Sequence, residues 1–462
     1  GCMRTGGVSP FGITGTNAHV VLQEAPIAEV TSYGNALVPV CMEDRKCLFP
    51  ISAHSSAALK ESVQTITEWL KDKTAENRIS LNDLCAAAAL QREQHDFRLA
   101  AIVESIHQLR DGLLEFLEGR ENPFVFCYPN RFGAKPRIAF VFPGQGSQWL
   151  GMCRQLMRES PVFRNAMERC EPALKPHTDW SLFAQLEADA GSSRHEEIDV
   201  IQPTLFAVQV ALAAQWQSWG VIPDAVVGHS MGEPAAAYVA GILDLDSAAR
   251  IISNRSRLMK RMSGRGAMAV VELTMEEAQR EIAGHERHLS IAVSNSPRST
   301  VLSGAPLALD TVLNDLEHRG VFCRKIKVDV ASHSPQMDPL RPELVDILKI
   351  LKPRQGNLPI YSTVTGAMQN GEAFDADYWG ANLRQPVRFS ETIDQMIRDM
   401  HTVFIEISPH PLLLRAIDET ARLCRNEDAI CVTLPSMLRN EDETGTLLSS
   451  GGRLYCLGYP LD

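Results

Sequence analysis

Gly228-His229-Ser230-Met231-Gly232 fits the pattern G-x-S-x-G, in which a serine occupies a tight turn from strand to helix with its hydroxyl clear of the backbone. The flanks agree with that context. Residues 225–227 form a short apolar run of strand type, and 234–240 has helix-forming composition with Pro234 in the first turn, where its missing N–H costs nothing. A serine so placed stands at a helix N-terminus, and the backbone N–H after it can stabilise an oxyanion. The bland alternative for the pentapeptide is a structural turn. A serine nucleophile near neutral pH needs a base. His333 is a candidate: the alternating Ile326, Val328 and Val330 end just before it and Pro335 stops regular continuation, which leaves an imidazole at a strand exit. On these residues alone it is not set apart from other histidines.

Arg255 stands out by periodicity. In the helical stretch 246–262 the apolar face runs through Ala248, Ile251, Ile252, Leu258, Met259 and Met262, and Arg255 falls on that face. A guanidinium there must snorkel to water or meet an anion. A bound carboxylate held bidentately and an internal salt bridge to one of the chain's own acids are both open. Arg257, two positions on, points elsewhere and reads as a solvated charge.

The elements that must position these groups follow from pattern. Residues 1–26 are a Gly/Thr-rich loop ending in an apolar strand at 19–22. Strand 44–53, helix 57–70, helix 81–90, strand 97–103 and helix 106–117 make a small α+β unit closed by the Pro-containing aromatic stretch 122–129. From Pro136 onward, apolar strands stop at glycine-bearing turns and hand over to helices (138–148, 224–233), the alternation of an α/β domain with a largely parallel sheet. Between 267 and 330 the order is β-α-β-β-α-β: strands 267–273, 289–294, 300–303 and 321–330, with helices after Thr274 and over 307–318. Thr274 and Glu277 form a capping box. That order is ferredoxin-like and implies a small subdomain inserted in the larger one with a cleft between them. Residues from about 425 on read as polar and loop-rich, with a final apolar patch able to pack on the core.

The 462 residues carry 45 Lys+Arg and 56 Asp+Glu, a formal charge of −11, with 45% hydrophobic and 22% charged residues. This is a globular composition of about three domains. The acidic balance and the lack of a basic stripe speak against nucleic-acid binding. No apolar run of 18 residues suggests a membrane span, and no secretory signal follows Gly1-Cys2-Met3, so a cytoplasmic location is expected. The 11 cysteines are scattered without zinc or disulfide spacing, and His54, His95 and His107 likewise lack a metal-ligand pattern.

FVFPGQGSQWLGM (140–152), GHSMGE (228–233), the R-x-R-L-M stretch (255–259), GRGAM (264–268), VASH (330–333), YWGANLRQPVRF (378–389) and EISPHPLLL (406–414) resemble, in order and spacing, the acyltransferase domain of a type I modular polyketide synthase. The wording is similar to that of lipid-synthesising mycobacterial synthases. Residues 7–26 resemble the end of a ketosynthase, with His19 at the place of a ketosynthase catalytic histidine whose partner cysteine lies outside this chain; residues 27–133 resemble the ketosynthase-acyltransferase linker.

The resemblance implies an α/β fold with a hydrolase-like large subdomain, a parallel sheet and an inserted ferredoxin-like small subdomain (about 266–331), preceded by a small α+β linker domain. The implied divisions are 1–26, 27–133, an acyltransferase domain at 134–424 and a following linker at 425–462. It further implies Ser230 as nucleophile, His333 as general base, and the backbone N–H groups of Gln145 and Met231 as oxyanion hole. Arg255 would take the substrate carboxylate, and the main-chain carbonyl of Asn382 would orient the histidine. The acyl group would come from a coenzyme A thioester and leave on the phosphopantetheine thiol of an acyl carrier protein, with the ketosynthase of the parent synthase as neighbour and neither a metal nor a bound cofactor. Val330, Ala331 and Ser332 would set the extender. A Phe before the histidine is usual in malonyl-selective relatives, and Ser332 leaves that space open, so methylmalonyl is expected. Val330 in place of the usual Tyr, and Met231 in place of Gln, depart from the methylmalonyl pattern and keep malonyl as the alternative. An α/β-hydrolase-type (thio)esterase is the more distant one.

Overall fold

Alternation with a period of two along Phe97–Val103 sends Leu99, Ala101 and Val103 to one face and Ala100 and Ile102 to the other, all of them buried. That strand is the centre of an antiparallel three-stranded sheet, flanked by Cys47–Ala53 and Val125–Tyr128. Helices Ser56–Trp69, Leu81–Leu90 and Ile106–Leu117 cover the first face, with Leu59, Val63, Leu109 and Leu113 in the shared core. Each helix begins at a serine (Ser55, Ser80, Ser105) whose hydroxyl accepts the N–H three residues on. Val125–Tyr128 lies in the Pro-containing aromatic stretch that closes this unit, and there it is a strand whose backbone completes the sheet.

The second face of this sheet is covered by helix Glu443–Cys456, where Gly452 approaches Ala100, Ile102 and Phe126, and Tyr455 and Cys456 join their cluster. The loop-rich reading of the C-terminal region is thereby corrected. Strand Val432–Pro435 and this helix are both regular, the helix being stabilised by an Asp442 cap and by burial of small residues that a polarity reading passes over.

This computed structural model describes residues 4–9, 18–23, 45–71, 79–128, 135–328, 330–424 and 431–461. Residues 27–44 of the expected linker and residues 425–430 therefore lie outside the described residues. The chain divides into Gly1–Arg45 and Lys46–Asp462. In the first unit, Thr5–Val8 pairs antiparallel with Val20–Gln23, so part of the expected loop is a strand. Everything else described here belongs to the second.

The main sheet has six strands in the order Ala367–Gln369, Ile360–Ser362, Ala225–Gly228, Ile138–Phe142, Val403–Glu406, Val432–Pro435. The last five run parallel; Ala367–Gln369 is an antiparallel edge. Ile138, Phe140 and Phe142 enter one core, Ala139 and Val141 the other, as expected for parallel strands buried on both faces. Helix Ile198–Ser218 is long and apolar enough to pass for a membrane span, but 89% of its most apolar window is buried inside this fold. It is a core helix.

The inserted subdomain has the expected order. Ala267–Val271, Leu289–Ser296, Ser299–Gly304 and Cys323–Ile326 form an antiparallel sheet in the order fourth, first, third, second. Helices Met275–Glu281 and Pro306–His318 pack on it, and the Thr274/Glu277 capping box is present. The closing strand is shorter than expected. It ends at Ile326, so the segment leading to His333 leaves the sheet before reaching it.

Candidate active site

The parallel strands deliver their C-terminal ends to one edge, where the turn after Phe142, the turn after Gly228 and the start of the loop after Ser362 meet. The elbow after Gly228 is tight. A Cβ on Gly228 would lie 2.3 Å from Glu233 Cα, and one on Gly232 would lie 2.0 Å from the Phe142 carbonyl oxygen. Only glycine permits either approach. Ser230 is left-handed, φ +53°, followed by a single 3-10 turn and the helix Glu233–Val239. His333 is left-handed too, φ +58°. Two non-glycine residues in this region each cost about 1–3 kcal/mol and persist only where the surroundings over-determine them.

Those two residues meet. Ser230 Oγ lies 2.7 Å from His333 Nε2, and His333 Nδ1 lies 2.8 Å from the carbonyl oxygen of Gln385. With Nδ1–H donating to that carbonyl, the Nε2 lone pair faces the serine hydroxyl. Burial lowers the His333 pKa to about 3, with the Arg255 charge as the next cause, so the imidazole is neutral and able to accept a proton. The Asn382 expectation is corrected here. Asn382 is inside helix Ala376–Arg384, whereas the carbonyl given to the imidazole comes from the residue just past the helix end, where carbonyls are left without intrahelical partners. The Asn382 side chain serves elsewhere: Nδ2 donates to the Ser230 carbonyl at 3.2 Å and to Glu233 at 3.0 Å.

Arg255, 1% exposed, donates through Nη2 to Ser230 Oγ at 2.9 Å and through Nη1 to Gln202 Oε1 at 2.9 Å. Its Nε is buried and meets no acceptor among the described residues. Of the two readings left open by the sequence, the internal salt bridge finds no support, since its recorded partners are an amide and a hydroxyl. Burial lowers its pKa to about 10, opposed by the charge of Glu233, so it remains cationic at neutral pH. Arg257 is exposed, as its spacing requires.

Behind the elbow, the fully buried Glu233 carboxylate accepts from Thr363 N–H (2.8 Å), Thr363 Oγ1 (2.7 Å), Tyr378 OH (2.6 Å) and Asn382. Burial raises its pKa against the pull of these donors. His229 is partly buried, its pKa lowered to about 4 by desolvation, and its Nε2 faces Asn295 Oδ1 on the small subdomain at 3.0 Å.

Gln145 lies in the turn after strand Ile138–Phe142, and its side chain accepts from Gln202 Nε2 at 3.3 Å. Met231, next after Ser230, is buried in the 3-10 turn. Val330 and Ala331 are buried and Ser332 partly so. Gly266 lies so close that a Cβ there would be 2.1 Å from Ala331 N. The sequence reading missed Gln202, Gln385 and Glu233. Gln202 had a legible signal: it and Gln209 are two glutamines two turns apart on the most apolar stretch of this helix, and Gln209 donates to the Pro143 carbonyl at 2.8 Å. Among the described residues no group of three His, Cys, Asp or Glu is placed to hold a metal.

A parallel sheet with an inserted ferredoxin-like subdomain, and a serine-histidine pair beside a buried arginine at their junction, define an acyl-transfer enzyme of the serine-elbow type. The family model described as acyl transferase domain matches residues 139–457, and the one described as ketoacyl-synthetase C-terminal extension matches residues 3–102. The chain belongs to the acyltransferase domains of modular type I polyketide synthases, and it is a transferase.

Erythronolide synthase EryA2 of Saccharopolyspora erythraea is 38% identical over 462 residues, covering 99% of this chain and 12% of that protein. A mycocerosic acid synthase-like polyketide synthase of Mycolicibacterium smegmatis is 37% identical over 464 residues, covering 99% and 21%. Among solved structures, the acyltransferase domain from module 8 of the salinomycin polyketide synthase superposes with a TM-score of 0.85 at 35% identity, over 90% of this chain and 97% of that one. The acyltransferase domain of PpsC of Mycobacterium tuberculosis gives 0.62 at 38% identity, over 67% and 96%. The chain spans between 8 and 24% of the length of the curated relatives it matches.

Proposed function

We propose that this chain moves a methylmalonyl unit from its coenzyme A thioester to the phosphopantetheine thiol of an acyl carrier protein through an acyl-serine intermediate. One observation carries the reading. Ser230 Oγ is shared between a neutral His333 and a buried cationic Arg255 whose guanidinium hydrogen-bonds to an amide and a hydroxyl and forms no ion pair among the described residues.

Ser230 Oγ attacks the thioester carbonyl as His333 Nε2 takes its proton, and the oxyanion lies against the N–H groups of Gln145 and Met231. Collapse expels the coenzyme A thiolate, which receives the proton from His333. In the second half the carrier thiol gives its proton to His333 and attacks the ester. Collapse returns the proton to Ser230. Arg255, freed from the hydroxyl once that oxygen is esterified, grips the free carboxylate of the acyl unit. The Gln385 carbonyl stabilises the imidazolium of each half-reaction. A carbonyl in that place, instead of the carboxylate that a hydrolase triad uses, favours transfer over the esterase reading.

The methylmalonyl choice is supported by Ser332, which offers no ring to narrow the site ahead of His333. Brief exposure of the protein to equimolar malonyl-CoA and methylmalonyl-CoA, followed by mass spectrometry of the Ser230 peptide, reads the extender from the mass added; a predominantly malonylated peptide rejects it. Free acid released at one rate with and without carrier protein rejects transfer. We place the reaction in the cytoplasm, where such thioesters are made. In this reading residues 1–26 end a ketosynthase, 27–133 link it to the acyltransferase domain of 134–424, and 425–462 lead out of it, with that ketosynthase and the carrier protein as partners.

A further inference from the structure

The loop that brings His333 to the cleft has left its sheet, so its carbonyls need donors from elsewhere. Three consecutive ones are each met by a serine hydroxyl at 2.7 Å: Ser334 Oγ donates to Ala331, Ser303 Oγ to Ser332 and Ser290 Oγ to His333. Ser334 belongs to the loop itself. Ser290 and Ser303 do not: they stand on adjacent strands of the small subdomain and are direct cross-strand partners. One rung of that sheet thus presents two hydroxyls to two successive peptide groups, on either side of the left-handed residue that carries the imidazole. Ser303 is fully buried.

We propose that Ser290 and Ser303 are positioning residues which clamp the 332–333 backbone, so that His333 Nε2 is aimed at Ser230. The inference rests on the reading of His333 as the base. The cleft's carboxylate grip comes from the large subdomain, through Arg255 and Gln202. Loosening the clamp therefore slows proton transfer and leaves the carboxylate grip in place.

The test compares Ser290→Ala/Ser303→Ala, Ser290→Thr and His333→Ala, with methylmalonyl-CoA as donor and pantetheine as acceptor thiol, alongside thermal unfolding. The double alanine variant should lose about 10- to 100-fold in kcat, as expected for a displaced general base, with KM changed less than two-fold. Ser290→Thr, which keeps the hydroxyl, should retain at least half of the wild-type kcat. In a His333→Ala background the two serine changes should cause no further loss. A wild-type kcat in the double variant, beside an inactive His333→Ala, overturns the clamp alone. So does a further loss in the His333→Ala background, or a kcat loss matched by a fallen unfolding midpoint. Undiminished transfer by His333→Ala instead overturns the base assignment.

Discussion

Ser230 and His333 share a backbone conformation, φ +53° and +58°, but are held in it by different means. The serine sits in an elbow packed by glycines against its neighbouring strand and anchored from behind by Glu233, Thr363, Tyr378 and Asn382. The histidine sits in a loop tied by hydroxyls to a second subdomain and by its ring to the end of a third element. The nucleophile is thus fixed by close backbone packing inside the large subdomain, backed by buried hydrogen bonds of that same subdomain, and the base by hydrogen bonds that reach it from a second one. A serine elbow can form wherever the motif meets a parallel sheet, whereas a base that arrives from another subdomain must be placed by it.

Substitutions can break that comparison, and the largest effect belongs to the nucleophile. Ser230→Ala should abolish covalent labelling by acyl-CoA and lower transfer by roughly 10⁴-fold or more, with an unchanged circular dichroism spectrum. Labelling that persists on another residue removes Ser230 from its role.

Arg255→Ala should depress transfer of malonyl-type units by about 100-fold relative to acetyl, from the loss of charged hydrogen bonds of about 1.5–3 kcal/mol each. Equal losses for the two acyl groups point to a structural arginine. The same variant removes a charge that holds the His333 pKa down, so the acid limb of kcat/KM should move to higher pH.

Gly232→Ala tests the elbow's backbone packing. The new methyl would overlap the Phe142 carbonyl, and urea unfolding should report a loss of about 1–3 kcal/mol together with lost activity. A variant as stable and active as the wild type means that the elbow tolerates the displacement.

Ser332→Phe should shift preference toward malonyl by about 10-fold, read by competition between the two thioesters. An unchanged ratio takes this position out of the selectivity argument.

The smallest expected effect is on stability. Below about 6.5 the unfolded chain protonates its histidines, while folded His333 resists down to about 3, so acidification across that window favours unfolding. Glu406, raised to about 7 by burial, acts in the opposite sense between about 4.5 and 7 and flattens the overall curve. His333→Asn should therefore gain on the wild type as pH falls, by at most about 1.4 kcal/mol per pH unit in urea titrations. Parallel stability curves for the two proteins would contradict a buried neutral imidazole.

Features written in short stretches of chain were legible in the sequence. The G-x-S-x-G turn between an apolar strand and a proline-started helix marked Ser230, and the helical stripe set Arg255 on the apolar face. A capping box and the β-α-β-β-α-β order marked the inserted subdomain. Each depends on residues a few positions apart, where backbone sterics and periodicity act directly. Only the tertiary structure decided what lies across the cleft. It set Gln385 instead of Asn382 behind the histidine, turned Gln202 onto the arginine, and made the C-terminal helix Glu443–Cys456 the cover of a sheet more than 300 residues earlier in the chain. Such contacts depend on where the fold leaves carbonyls unpaired and apolar faces uncovered, and no local pattern records that.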